Sequence, residues 1–121
     1  MSFTTRAITV AKHVLVLHEG VLKTQEMNEA RTKAIDILEA HKWKKMLVDL
    51  RKAKIGANGL ELFYFSSTHH EKFPLGMKIA VVANPQDHDK TSFADTVSSN
   101  RGVRMQTFHD WDQAMEWLGT R

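Results

Sequence analysis

Hydrophobic and polar residues change rhythm several times along the chain, and each change marks an element. Arg6 to Lys12 alternates, with Ile8 and Val10 on one face and Thr9 and Ala11 on the other, which predicts a strand with one buried face. His13 to His18 is apolar on both faces, the pattern of a strand covered on both sides. Only a short turn around Lys12 separates the two, so they are expected to pair as a hairpin. From Thr24 to His41 the apolar positions are Met27, Ala30, Ala34, Ile37 and Leu38. Steps of three and four define a helix, with Glu26, Glu29, Arg31, Lys33 and Glu39 assigned off its stripe and Thr24 as N-cap. Lys44 to Leu50 reads as another strand, and Gly56-Ala57-Asn58-Gly59 as a turn. Leu60 to Glu71 is predicted helical, with Leu60, Phe63 and Ser67 along one side. Phe73 to Gly76 breaks the pattern. Met77 to Ala83 is a buried strand, and Asp87 or Asp89 caps a helix carrying Phe93, Ala94 and Val97. Gly102 suits the left-handed end of that helix. Val103 to Phe108 alternates again. Asp110 to Gln113 has capping-box spacing before a last helix that buries Ala114, Trp117 and Leu118 and stops at Gly119.

The order is β-β-α-β-α-β-α-β-α, an α/β arrangement with a single mainly parallel five-stranded sheet, four helices and right-handed crossovers. The first and last strands carry one wet face each and belong at the edges, while the three greasy strands belong in the middle. No repeat, linker or low-complexity segment divides residues 1–121, so one domain is expected.

Composition narrows the function classes. Hydrophobic residues make up 42% of the chain, enough for an ordinary core. The net charge of +3 is small and no basic run is interleaved with aromatics, so nucleic acid is not an expected partner. With no cysteine, disulfides, thiol nucleophiles and cysteine metal sites are excluded. A cytoplasmic location fits. The start "MSFTTRAITV" lacks the basic and apolar regions of a secretion signal, and no apolar run is long enough to span a membrane.

Candidate chemistry is thin. The stretch Arg51 to Gly59 offers Arg51, Lys52 and Lys54 beside a helix start at Asn58 and Gly59, where free amides and cations would attract an anion or an acidic partner. A solvated loop is the plainer alternative. The spacing is neither a Walker A loop nor G-x-G-x-x-G. His69 and His70 are neighbours and cannot share a helix face. Asp87-His88-Asp89 and His109-Asp110 sit where helix caps are expected, so no metal site is assigned. No G-x-S-x-G elbow exists, and Ser66-Ser67 and Ser98-Ser99 lie late in helices. Asp49 closes a central strand, a favoured place for functional groups in open α/β sheets; the favoured alternative is that it ties down the following loop by accepting backbone hydrogen bonds. Leu62, Phe63, Tyr64 and Phe65 are consecutive and cannot all face one core. At least one of Leu62 and Phe65 is therefore expected outside the main stripe, covered by another element or contributing to a lipid-like pocket or a subunit contact.

The "MLVDLR" strand, the turn at Gly56 to Gly59 opening a helix, "GMKIAVVA", "SSNRGVRMQTF" and "HDWDQAMEWL" together resemble the SpoIIAA-like branch of the STAS domains, a fold related to lipid-binding SEC14-type domains. The resemblance spans residues 7–118 and implies parallel strands in largely consecutive order joined by helices. In signalling members the turn reads roughly D-S-S-G-L, and one serine is phosphorylated by a partner kinase. The end of that motif falls on Asn58-Gly59-Leu60, which puts the phosphoacceptor at Ala57 and the preceding aspartate at Gly56. Ala57 has no hydroxyl, so the kinase-controlled switch is expected to be absent. The resemblance implies a non-enzymatic regulatory protein-interaction module; no cofactor is expected, and self-association into a homodimer is open through the α-helical aromatics or an edge strand. The alternative is a carrier or sensor of a small lipid-like or anionic ligand. The residues favoured for contact are Arg51, Lys52, Lys54, Asn58 and Gly59, with Leu62 and Phe65 behind them.

Overall fold

Strand order follows chain order, so each crossover simply moves one strand along the sheet. The computed structural model describes residues 3–119. Its strands are β1 (Phe3–Ile8), β2 (His13–Leu22), β3 (Lys45–Ile55), β4 (Lys78–Val82) and β5 (Arg104–Phe108). They form one sheet in the order β1-β2-β3-β4-β5. β1 runs antiparallel to β2, with Ile8 opposite His13, and the remaining neighbours pair in parallel. The half-wet strands lie at the two edges, as their alternation requires. The helices are α1 (Thr24–His41), α2 (Gly59–Ser67), α3 (His69–Lys72), α4 (His88–Asn100) and α5 (Trp111–Leu118), with a 3-10 turn over Pro85–Asp87.

Two apolar layers sandwich the sheet. On one side Met27, Ala30, Ala34 and Leu38 of α1 and Leu62 of α2 pack on Val14, Val16, Met46 and Ile79 of the strands. On the other, Ala114 and Leu118 of α5 pack on Leu47, Ala80 and Val82. Alternate residues of the central strands thus serve alternate layers.

Several boundaries differ from the sequence expectation. β1 starts and ends earlier, and Val10 is exposed in the hairpin turn, where Lys12 takes a left-handed conformation (φ 56°). Lys23, not Thr24, is the N-cap of α1; the Thr24 hydroxyl donates instead to Glu61 Oε2 at 3.2 Å. The predicted helix from Leu60 to Glu71 is two pieces meeting at Thr68, so the order gains a helix. The single long strand β3 is the largest correction. It runs to Ile55 rather than stopping at Leu50, and beyond Asp49 its partner is β2 alone.

A bulge makes this extension possible. Leu17 faces Asp49 while Glu19 faces Lys52, so β3 carries one residue more than β2 across that step. An extra residue inverts the alternation beyond it. Leu50, Ala53 and Ile55 all join the α1–α2 layer, whereas unbroken alternation from Leu50 would have put Lys52 and Lys54 there. Asp49 fixes the bulge. Its Oδ1 accepts from the Arg51 backbone N–H (3.1 Å) and Nε (2.9 Å), and Oδ2 accepts from Arg51 Nη2 (2.8 Å). Burial alone would raise the Asp49 pKa, but the hydrogen bonds and charge of Arg51 outweigh it and hold the carboxyl below its usual value.

The two glycines of the turn have different reasons to be there. A Cβ on Gly56 would stand 2.6 Å from Val21 Cγ1 and 3.3 Å from the Leu22 carbonyl oxygen, whereas one on Gly59 would meet nothing within 4 Å. Gly56 is required for close approach of β2; Gly59 only opens α2. Gly56→Ala should therefore cost about 1–3 kcal/mol by overpacking. Gly59→Ala should hold stability or raise it by up to about 1 kcal/mol through reduced chain entropy. Urea unfolding of both variants checks the contrast.

Candidate functional site

The long β3 separates the residues expected to form one anion-attracting turn. Arg51, Lys52 and Lys54 lie on the strand. Arg51 is committed to Asp49 and stacks its guanidinium over the Trp111 ring of α5 at 4.8 Å. With Ala53 and Ile55 facing the α1–α2 layer, Lys52 and Lys54 turn to the opposite face. Asn58 and Gly59 stay at the start of α2, on the other side of the sheet from these cations.

That helix start is capped from within. Asn58 Oδ1 accepts from the Glu61 N–H and Glu61 Oε1 accepts from the Asn58 N–H, both at 2.9 Å. The reciprocal pair is a capping box, in which the chain's own carboxylate takes the place an anion would occupy. The Asn58 N–H lowers the Glu61 pKa, with help from Thr24 and Lys23 against desolvation. Ala57 is buried, and Asn58 is the exposed residue beside it. Neither position carries a hydroxyl.

The phase of α2 also differs from expectation. Its inward stripe is Leu62, Phe65 and Ser66, continued by His69 of α3, rather than Leu60, Phe63 and Ser67. Leu62 and Phe65 both face inward, off the stripe expected from Leu60, Phe63 and Ser67, and both line an apolar space. The residues left outside are Leu60 and Tyr64, 64% and 62% exposed, one turn apart. The helix begins at Gly59, and packing on Leu22, Ala53 and Ile55 of the extended strands selects the 62/65/66 face.

Beneath that stripe lies a cavity of about 90 Å³. Val16, Leu50, Ile55 and Ile79 of the sheet form its floor, α2 its roof, and Thr91 and Ala94 of α4 one wall. Lys90, exposed on α4, also lines it and donates to the Ile55 carbonyl at 3.0 Å.

Polar groups converge on this apolar space. Arg31 is 6% exposed. Its Nη1 donates to the Phe65 carbonyl (2.8 Å), Thr68 Oγ1 (2.9 Å) and His69 Nδ1 (3.1 Å), and its Nη2 to Asn28 Oδ1 (3.1 Å). All these acceptors are neutral. The guanidinium also lies 4.4 Å over the Phe65 ring. Burial lowers the Arg31 pKa to about 10. His69, 3% exposed, has its pKa lowered to about 3 by burial and by the Arg31 charge. It is neutral, and because Nδ1 accepts, its proton sits on Nε2. His18 Nδ1 donates to Glu26 Oε2 at 3.0 Å, and burial lowers its pKa against the pull of that carboxylate. Ser66 Oγ is buried without a hydrogen-bond partner.

Sequence reasoning left Arg31, His69, Ser66 and His18 out of the site. A signal existed for the first: Arg31 stands four residues after Met27 and three before Ala34, within the apolar stripe. Its charge, not its spacing, led to its assignment off the stripe. Elsewhere, the structure brings His88 and His109 together, Nδ1 to Nε2 at 2.9 Å, with His109 Nδ1 donating to the Ala83 carbonyl. Among the described residues, no group of three or more metal-ligating side chains is assembled.

No known family profile matches the chain, and no curated protein sequence does. Solved structures do match in shape. An anti-sigma factor antagonist from Mycobacterium paratuberculosis superposes with a TM-score of 0.65 at 17% identity, over 98% of this chain and 95% of that one. SpoIIAA, an anti-sigma factor antagonist in its unphosphorylated form, gives 0.67 at 9% identity, over 98% and 97%. An uncharacterised Shewanella loihica protein with a SpoIIAA-like fold gives 0.56 at 13% identity, over 97% and 92%. The chain therefore has the SpoIIAA-like fold across nearly its whole length. Among the described residues, no helix is long and apolar enough to cross a membrane.

The buried histidine makes stability depend on pH with a fixed sign. Below its ordinary pKa of 6.5 the unfolded chain protonates residue 69, while the folded chain refuses the proton until about pH 3. The stability carried by the neutral ring is full above 6.5 and is lost as pH falls towards 3, by up to about 1.4 kcal/mol per pH unit. His69→Gln keeps an acceptor for Arg31 and removes this titration. The stability advantage of wild type over the variant, from urea unfolding, should shrink between pH 7 and pH 4; a constant difference would contradict the assignment.

Proposed function

We propose that this chain is a non-enzymatic regulatory module that acts by binding a partner protein on the outer face of α2. The observation that carries this reading is the exposure of Leu60 and Tyr64, four residues apart and so on one face, next to the exposed Asn58–Gly59 start of the helix. Val21, also exposed, adjoins that end of the surface beside Gly56. The shape neighbours named as anti-sigma factor antagonists act on another protein, which supports a partner of the same regulatory kind. The position matched to the phosphoacceptor is alanine, and its exposed neighbour is asparagine, so this reading includes no phosphate switch at the turn. Arg51, Lys52 and Lys54 fall outside the surface. Leu62 and Phe65 support it from behind.

The test is titration of the purified chain with anti-sigma factors from its source organism, with sedimentation of the chain alone to detect a homodimer. A saturable complex is expected. Leu60→Glu and Tyr64→Glu should each weaken it at least about tenfold while leaving stability within about 0.5 kcal/mol of wild type. No phosphate should appear on residues 56–60 when a partner kinase and ATP are supplied. Unchanged binding in both variants would contradict the proposed surface. A dimer abolished by Tyr64→Glu would identify a second copy as the partner.

A further inference from the structure

Arg31, His69 and Ser66 form a polar corner of a mainly apolar cavity, and each is more than nine-tenths buried. A guanidinium has five N–H donors. The contacts of Arg31 use Nη1 and one hydrogen of Nη2, which leaves Nε–H and a second Nη2 hydrogen without an acceptor among the described residues. His69 accepts at Nδ1, and its Nε2–H likewise has no acceptor among them. Ser66 lines the same space, and its Oγ is buried and unpartnered. Spare donors therefore outnumber spare acceptors among these three side chains, while Val16, Leu50 and Ile79 across the space offer no hydrogen bond.

From this geometry we infer that the cavity is a binding site for a short aliphatic monocarboxylate, its carboxylate held by Arg31, Ser66 and His69 and its alkyl end against the sheet. The carboxylate supplies acceptors for the spare donors and a charge for the buried cation. A phosphate or sulfate ion would leave the apolar walls uncovered, and a neutral amide would leave the guanidinium uncompensated. Size sets the chain length. At about 90 Å³ the space is smaller than the roughly 150 Å³ cavity that holds benzene, which limits the ligand to about two to four carbons and excludes a lipid acyl chain. Lys90 lines the cavity from an exposed position and brings to its edge a positive charge that attracts an anion. The site is separate from the outer face of α2 and does not depend on the partner-binding reading.

The experiment is titration of the full chain with sodium propionate, propionamide and sodium octanoate at constant ionic strength, followed by amide chemical shifts and thermal unfolding. Propionate is expected to bind with a Kd on the order of 1 mM. It should shift the amides of Arg31, Ser66 and His69 and raise the unfolding temperature with concentration. Propionamide should bind at least about tenfold more weakly, because it lacks the charge-assisted bonds. Ala94→Leu fills the cavity from α4 without removing any polar group, and should abolish the shifts while the chain stays folded. Arg31→Met should abolish them too. Absence of propionate shifts, equal binding of propionamide, persistence of the shifts in Ala94→Leu, or tighter binding of octanoate would each overturn the proposal. Loss of partner binding in the Leu60 and Tyr64 variants would leave these results unchanged.

Discussion

A full positive charge held in an apolar space must be tied down by its neighbours, and in this protein that charge is Arg31. One side chain on α1 reaches the last turn of α2 through the Phe65 carbonyl, the junction through Thr68 and the start of α3 through His69. Leaving such a group unpaired would cost several kcal/mol, so these contacts must form together. They hold α2 as a roof over the sheet at a height that leaves a cavity rather than a closed core. The same constraint keeps His69 neutral, because a second charge beside the guanidinium would be repelled as well as desolvated.

The bulge in β3 provides the floor for that roof. Asp49 and Arg51 absorb one extra residue, and the inverted alternation brings Ala53 and Ile55 to the α1–α2 layer. Lys52 and Lys54 go to the opposite face. The chain then needs Gly56 to pass close against β2 before Asn58 and Glu61 cap the new helix. With its start capped by Asn58 and Glu61 and its inner stripe given to the cavity, α2 is left with one outward apolar face, Leu60 and Tyr64. A turn that could have held a reactive group instead sets the angle of a capped helix with an exposed apolar face.

Much of this was legible in the sequence. Alternation identified the first and last strands and continuous apolar runs the three between, and β1 and β5 belong at the edges because a strand with one wet face cannot lie in the middle of a covered sheet. Gly102 and Gly119 marked helix ends, and both have positive φ. The length of β3 was hidden, since a bulge erases the two-residue period on which strand reading rests and three basic residues in "RKAK" look like a loop. The phase of α2 was hidden because four consecutive large residues are compatible with any face; only the packing of the extended strands selects one. The cavity was hidden for a related reason. Its polar corner is assembled from residues 31, 66 and 69, whose meeting depends on the crossing of α1 over α2 and not on any local spacing.

The central claim is that Arg31 is the tie holding α2 and α3 over the cavity. Native-state hydrogen exchange of Arg31→Met tests it most directly. Amides from Leu62 to Phe73 should lose protection selectively, while those of Leu47, Ile79 and Val81 in the central strands keep the protection they have in wild type. Equal loss across the sheet and helices, or unchanged protection of α2, would show that the roof is held by apolar packing alone and would contradict the account.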